Sequence, residues 1–303
     1  LAAPAVDESY MLSCARELTE AYFCFDDASI PIDLEFIASL RGVKVEYKDM
    51  EETIAGQLIS RDGIVVAQVN QRHLYSRQRF TLAHEIGHTF FPGFSRHKVF
   101  RQELNKCWLS ERRHRNREEY LCDLFASELI LPRSQVTRMI KPGSAALDNL
   151  LLIAEEFRAS LEATSMKFPK LYPDPLVVWV TEVNLSERDT GRKLTIDDGQ
   201  ALLFDLRAPR PRPKVKMVAR SITWRHGYIK RGRSVPRRGS IELAYLTGNR
   251  INAIERLKLK SFDEDLYRVD TYPYTIGVGG TGSISKAISV LQPISSTLYS
   301  HIV

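Results

Sequence analysis

The sequence predicts an α+β protein, and three observations carry that expectation. Residues 43–69 alternate apolar and polar in short runs around a turn, which is the period of half-buried strands. Residues 79–91 are apolar on almost every face of a helix, which is the mark of a buried one. Beyond Pro175 the chain turns to β-branched and aromatic runs. In chain order, 8–23 reads as a helix. Asp33 is placed to N-cap a second helix over 34–41 that Gly42 closes. A strand is expected at 43–47. The runs 57–60 and 64–69 flank Arg61-Asp62-Gly63 and read as a hairpin. The buried helix 79–91 follows, ended by Pro92. An amphipathic helix over 118–131 carries the stripe Leu121, Leu124, Phe125 and Leu129. Helices are expected at 147–157 and, capped by Ser160, at 161–168. Strands are expected at 176–181, 201–204, 215–222 and 241–245. The expected division is 1–140, a helix-pair segment at 141–172, and an α+β unit at 173–303.

The chemistry concentrates in His84-Glu85-Ile86-Gly87-His88. Residues four apart on a helix lie one above the other, with Cβ atoms roughly 5–6 Å apart, so His84 and His88 can converge on one metal ion. Glu85 is offset by about a quarter turn, beside the metal, where it can take a proton from a water the metal activates. This is the H-E-x-x-H signature of zinc peptidases. The competing reading is two solvated histidines on a surface helix. Phe80, Leu82, Ala83, Ile86, Phe90 and Phe91 leave almost no solvated face, and buried His and Glu need partners.

A catalytic zinc takes three protein ligands and keeps one position open. His97 and His114 sit in strongly basic stretches and read as surface residues. Glu119 and Asp123 are the better pair: four apart on the 118–131 helix, off its apolar stripe. There one carboxylate can bind the metal while the next holds a ligand imidazole by its other nitrogen. Without the first motif, two solvated acids would be the preferred reading.

Residues 77–88 and 119–132 together resemble the ImmA/IrrE family of metallopeptidases, the likeness resting mainly on 33–135 and extending to about 170. The resemblance implies a zincin-like fold. It implies metal ligation by His84, His88 and Glu119, and Glu85 as general base. By analogy with other Glu-liganded zinc peptidases, Asp123 would orient His84. Known members are bacterial and phage proteins that cleave helix-turn-helix repressors and so switch on stress or mobile-element genes. The implied substrate is therefore an XRE-family helix-turn-helix repressor, in the cytoplasm. The resemblance also implies a helix-turn-helix-like segment after the catalytic unit and a sensor-like, GAF-type domain at the C-terminus. The expected cofactor is Zn²⁺, with Mn²⁺ also suited; two His and one carboxylate do not exclude Fe(II). The opposing reading is a non-proteolytic DNA-binding or sensor regulator with a structural metal, against which an intact Glu85 speaks.

The rest of the chain narrows the classes. No apolar run approaches the roughly 20 residues needed to span a bilayer, and the start lacks the pattern of a signal peptide. Cys14, Cys24, Cys107 and Cys122 show no C-x-x-C pairing and read as reduced thiols. Net charge is +6. The stretch 207–238, with Arg207 and Arg238 at its ends, holds about a dozen Lys and Arg and no acid. It suits a nucleic-acid partner or an acidic protein surface, though nothing else requires either, and a solvated loop is the plain alternative. The 161–168 helix offers only Lys167 toward DNA, so partner docking is preferred for that pair. Gly277-Val278-Gly279-Gly280-Thr281-Gly282 fits G-x-G-x-x-G, but no acid follows it to the last residue, so it reads as a glycine turn. Val65–Val69 is the expected open sheet edge for an extended substrate. Tyr75, Tyr120 and His114 have the chemistry to stabilise an oxyanion, and the sequence does not choose among them.

Overall fold

The computed structural model describes residues 6–61, 63–92, 99–102, 117–141, 143–183, 212–259, 264–278 and 282–294. The chain forms two compact units: Leu1–Ser144 with Asp148–Thr164, and Ala145–Leu147 with Ser165–Val303. His97, Cys107 and His114, and the strand expected at 201–204, lie outside the described residues. No described helix is long and apolar enough to cross a membrane.

The first unit starts with helix α1 (Glu8–Phe23), whose first turn is capped by Asp7 accepting from the Tyr10 N–H at 2.9 Å. Helix α2 (Leu34–Leu40) is capped as expected, with Asp33 Oδ1 accepting from the N–H groups of Glu35 and Phe36. Gly42, at φ +66°, takes the left-handed turn after it. Strands β1 (Val43–Lys48), β2 (Ile54–Arg61), β3 (Ile64–Asn70) and β4 (Val99–Gln102) form one sheet in the order β1-β3-β2-β4. β2 and β3 are the expected hairpin, with Arg61 opposite Ile64 and Gly63 at φ +79° in the turn.

The expected open edge at Val65–Val69 is wrong. β3 is an interior strand, paired in parallel with β1 and antiparallel with β2, so its backbone groups are spoken for on both sides. The hairpin pattern reveals only one neighbour. The second comes from a strand that precedes it in sequence and returns through 49–53. Buried Asn70 ties down that return, its Nδ2 donating to the carbonyls of Glu51 at 3.0 Å and Ile54 at 2.8 Å. The edges are β1 and β4.

Across β2, β3 and β1 a polar ladder runs on one face: Gln57 donates to Gln68 at 2.6 Å, and Gln68 to Glu46 at 3.1 Å. Lys48 pairs with Glu46 at 2.9 Å. The bonds from Lys48 and then Gln68 lower the Glu46 carboxyl from 4.5 to about 2. A folded value below the unfolded one means this contribution is whole above pH 4.5 and lost as pH falls through about 2. An NMR titration should find Glu46 ionised at pH 3, and Lys48→Met should move its midpoint back toward 4.5.

Helix α3 (Tyr75–His88) lies between the sheet, where it meets β2 and β3, and helix α4 (Arg117–Ile130). It begins four residues earlier than expected and ends at His88 instead of Phe91. The stop has a cause. Thr89 turns its hydroxyl onto the Ile86 carbonyl at 2.6 Å, and Arg41 holds the Thr89 carbonyl at 3.1 Å. Every residue from Arg79 to His88 is buried. α1 also packs against α4. Helices α5 (Arg133–Met139), α6 (Ala146–Glu156) and α7 (Leu161–Lys167) follow, and the Ser160 hydroxyl caps α7 at Ala163 N–H, 3.1 Å.

The second unit is a five-stranded antiparallel sheet, β6-β5-β9-β8-β7, made of β5 (Val177–Glu182), β6 (Lys214–Arg220), β7 (Ile251–Lys258), β8 (Glu264–Val278) and β9 (Gly282–Pro293). Helix α8 (Ser240–Thr247) covers part of it. Trp179, Trp224, Val235, Ile241, Tyr267 and Leu291 build its core, each large side chain worth roughly 1.5–3 kcal/mol on burial. The strand expected at 241–245 is this helix. Ile241 and Ala244 are buried one turn apart, the Glu255 carboxylate accepts the first free N–H at Ser240, and Gly248 at φ +68° ends the helix. An apolar run this short fits either period, and only its packing decides. The glycine-rich 277–282 segment joins β8 to β9, with Val278 opposite Gly282. Strand β9 follows the segment, where the dinucleotide fingerprint needs a helix.

Candidate metal centre

α3 and α4 cross at Gly87. A Cβ on Gly87 would lie 3.2 Å from the Cα of Cys122 and 3.2 Å from the Phe125 ring. A Cβ here would be tighter than ordinary contact, so the glycine lets α4 come close, and the approach brings the acids of α4 to the histidines of α3. Gly87→Ala should push α4 back by a few tenths of an ångström. The overpacking should cost about 1–3 kcal/mol in a urea melt and weaken metal uptake in the same protein.

At the crossing, the side chains of His84, His88 and Glu119 converge. His84 Nε2 and His88 Nε2 are 3.2 Å apart. Glu119 Oε2 lies 3.2 Å from His84 Nε2, and Glu119 Oε1 lies 3.4 Å from His88 Nε2. Ligands about 2.0–2.1 Å from a tetrahedral ion stand roughly 3.3–3.4 Å from one another, so the spacing fits a zinc-sized cation. The remaining ring nitrogens are turned away and held: His84 Nδ1 meets Asp123 Oδ1 at 2.9 Å, and His88 Nδ1 meets Glu118 Oε1 at 3.0 Å. With an ion bound, each carboxylate would accept the Nδ1 proton and leave Nε2 free to face the ion. His84, Glu85 and His88 are 0, 1 and 1 % exposed; the Glu119 side chain, at 27 %, marks where the cluster opens to solvent.

Electrostatics agree with a pocket that favours positive charge. Burial works to lower His88, but hydrogen bonds to Cys122, Glu118 and Glu119 lift it to about 12. Burial works to raise Glu119, yet bonds from His84 and His88 hold it far below the ordinary carboxylate range. Cys122, fully buried, is pushed up to about 11, chiefly by burial. His84, His88 and Cys122 also form a group that could hold a metal, their ligand atoms within 4.8 Å of one another. The Glu119 oxygens sit closer to both Nε2 atoms than that limit.

Glu85 is on the sheet side of α3. A Cβ on Gly56 of β2 would fall 3.6 Å from Glu85 Oε1 and 2.8 Å from the Gln68 carbonyl, so a bare strand runs beside the carboxylate. Glu118 was missed by the sequence reading. Its signal was the repeated acid at 118–119, but a pattern on α4 alone cannot say which acid meets which ring. Of the residues considered for an oxyanion, Tyr120 donates to Glu8 on α1 at 3.1 Å. Tyr75 sits in the first turn of α3, roughly 13 Å along the axis from His84, with its ring against Arg158. His114 lies outside the described residues.

A buried HExxH helix crossed by an acid-bearing helix and laid on a small mixed sheet is an arrangement consistent with a zincin-like fold. Residues 38–168 match the family model for the IrrE N-terminal-like domain, peptidase family M78. The match spans the sheet from its first strand, α3, α4 and the helix pair α6–α7. The fold is also similar to a solved Mycobacterium tuberculosis transcriptional regulator, with a TM-score of 0.54 at 12 % identity over 96 % of this chain and 78 % of that one. At that identity the likeness concerns the fold alone. No curated protein matches the chain.

Proposed function

We propose that this protein is a metal-dependent endopeptidase that cleaves a helix-turn-helix transcriptional repressor of the XRE type, derepressing the genes it controls. The observation that carries the reading is that His84 Nε2 and His88 Nε2 stand 3.2 Å apart with one Glu119 oxygen 3.2 Å from the first and the other 3.4 Å from the second, and with Glu85 on the same helix. His84, His88 and Glu119 would hold Zn²⁺ or Mn²⁺. A bound ion of this kind supplies Lewis acidity, polarising a peptide carbonyl and bringing the pKa of water toward about 7. The Glu85 carboxylate takes the proton of the attacking water and returns it to the departing amine. Asp123 and Glu118 keep the two imidazoles oriented and basic. The repressor as substrate, the sensor-like role of the second unit and a cytoplasmic setting follow from the family likeness. Because β3 is interior, a substrate strand adding to this sheet would have to pair with β1 or β4.

The test is incubation of the full chain, loaded with Zn²⁺ or Mn²⁺, with the XRE-type repressor encoded beside its gene. Cleavage at one or a few bonds, abolished by Glu85→Gln and by chelation, supports the proposal. DNA binding with no repressor cut under any metal would favour a non-proteolytic regulator.

A further inference from the structure

Within the second unit, residues 212–241 contain ten Lys and Arg and no Asp or Glu. The structure makes a fixed surface of that composition. Trp224 and Val235 are buried in the core, and between them the chain loops out and returns beside β6. Gly232 N–H donates to the Val215 carbonyl at 2.8 Å, Val215 N–H to Arg233 at 2.9 Å, and Val235 N–H to Pro213 at 3.1 Å. The returning strand covers the outer edge of β6 and lifts the loop into solvent.

Arg225, Lys230, Arg231, Arg233, Arg237 and Arg238 are exposed, and none forms an ion pair with a described acid. The nearby acids are engaged: Glu242 accepts from the Arg238 backbone at 2.5 Å, Glu255 from Ser240, and Asp265 meets His226 at 3.3 Å. Tyr228, 39 % exposed, has the Arg220 guanidinium 5.3 Å over its ring.

We propose that this loop is a nucleic-acid-binding surface that grips the phosphate backbone without reading sequence. Like charges crowded on a pinned loop repel one another, and a dense line of anions relieves that repulsion. Arginine predominates, and its planar fork matches phosphate oxygens. An acidic protein partner fits less well, because protein interfaces are depleted of charge at their centre and built on apolar anchors. Here Ile222 and Tyr228 are the exposed large hydrophobic residues of the segment. Tyr228 beside Arg220 also offers a face on which a base can stack.

The test uses the full chain and fluorescence anisotropy with a random-sequence 30-base-pair DNA duplex, a single-stranded DNA and an RNA of equal length. Binding to any of these should weaken with salt, with a log–log slope of about −4 to −5, near 0.9 per neutralised phosphate. The variant Lys230→Glu/Arg231→Glu/Arg233→Glu should bind at least about tenfold more weakly and lose about 3 from that slope's magnitude. The control Arg133→Glu/Arg138→Glu/Lys141→Glu makes the same change in net charge on exposed residues of the first unit, and should stay within about twofold. Circular dichroism and melting of both variants check that the fold is kept. An equal loss in the control, no nucleic acid bound at low salt, or poly-L-glutamate competing as well as DNA at equal charge would overturn the proposal.

Discussion

Glu85→Gln is expected to lower repressor cleavage by about 10²–10⁴-fold while leaving metal content unchanged. The amide keeps the shape of the carboxylate but takes no proton at neutral pH, so the step that makes water a nucleophile loses its base. Glu85 is 1 % exposed and belongs to the buried face of α3, and Gln fills the same volume beside Gly56. The fold should therefore melt within a few degrees of the parent. Metal analysis of the purified variant alongside its kinetics separates the outcomes. If activity and metal fall together, Glu85 is a ligand or a support for one, and the assigned role is wrong.

Removing Glu119 is expected to be the other large effect, and it decides between two donor sets. If His84, His88 and Glu119 bind the ion, Glu119→Gln removes one of three ligands, and stoichiometric metal should be lost under mild dialysis. Cys122→Ser should then retain the metal. If His84, His88 and Cys122 bind it, the results reverse. Cobalt substitution gives a second readout, because a thiolate ligand adds an intense near-ultraviolet charge-transfer band and a carboxylate does not. The geometry favours Glu119. Its oxygens are 3.2 and 3.4 Å from the two Nε2 atoms, and hydrogen bonds from both imidazoles hold its charge. Burial pushes the Cys122 thiol up to about 11, so its thiolate is scarce at neutral pH in the metal-free protein. Glu118→Gln, which leaves all candidate ligands in place, should weaken metal binding by about 10–100-fold through His88.

Where local signals were strong, the fold was legible. The Asp33 cap, the Gly42 stop, the turn at Gly63 and the Ser160 cap each rest on a side chain or a glycine acting within a few residues of itself. Longer-range outcomes were not. The 241–245 run became helix α8 because its ends found Glu255 and a left-handed Gly248. Strands β7, β8 and β9 went unassigned because charged and polar side chains interrupt them, as in the exposed, alternating β7. β3 was misplaced at an edge because a parallel partner leaves no mark in the hairpin's own sequence.

For the site, the sequence by itself determined which residues share a helix face: His84 with His88, and Glu119 with Asp123. A period of 3.6 residues fixes those relations wherever the helix goes. The likeness to other Glu-liganded zinc peptidases already implied Asp123 beside His84; only the tertiary structure decided that the two faces meet, that Glu118 takes the second imidazole, and that Cys122 lies among them. Those pairings depend on how closely α4 approaches α3, a distance set by the missing side chain at Gly87 and the packing around it. Neither helix encodes that separation alone.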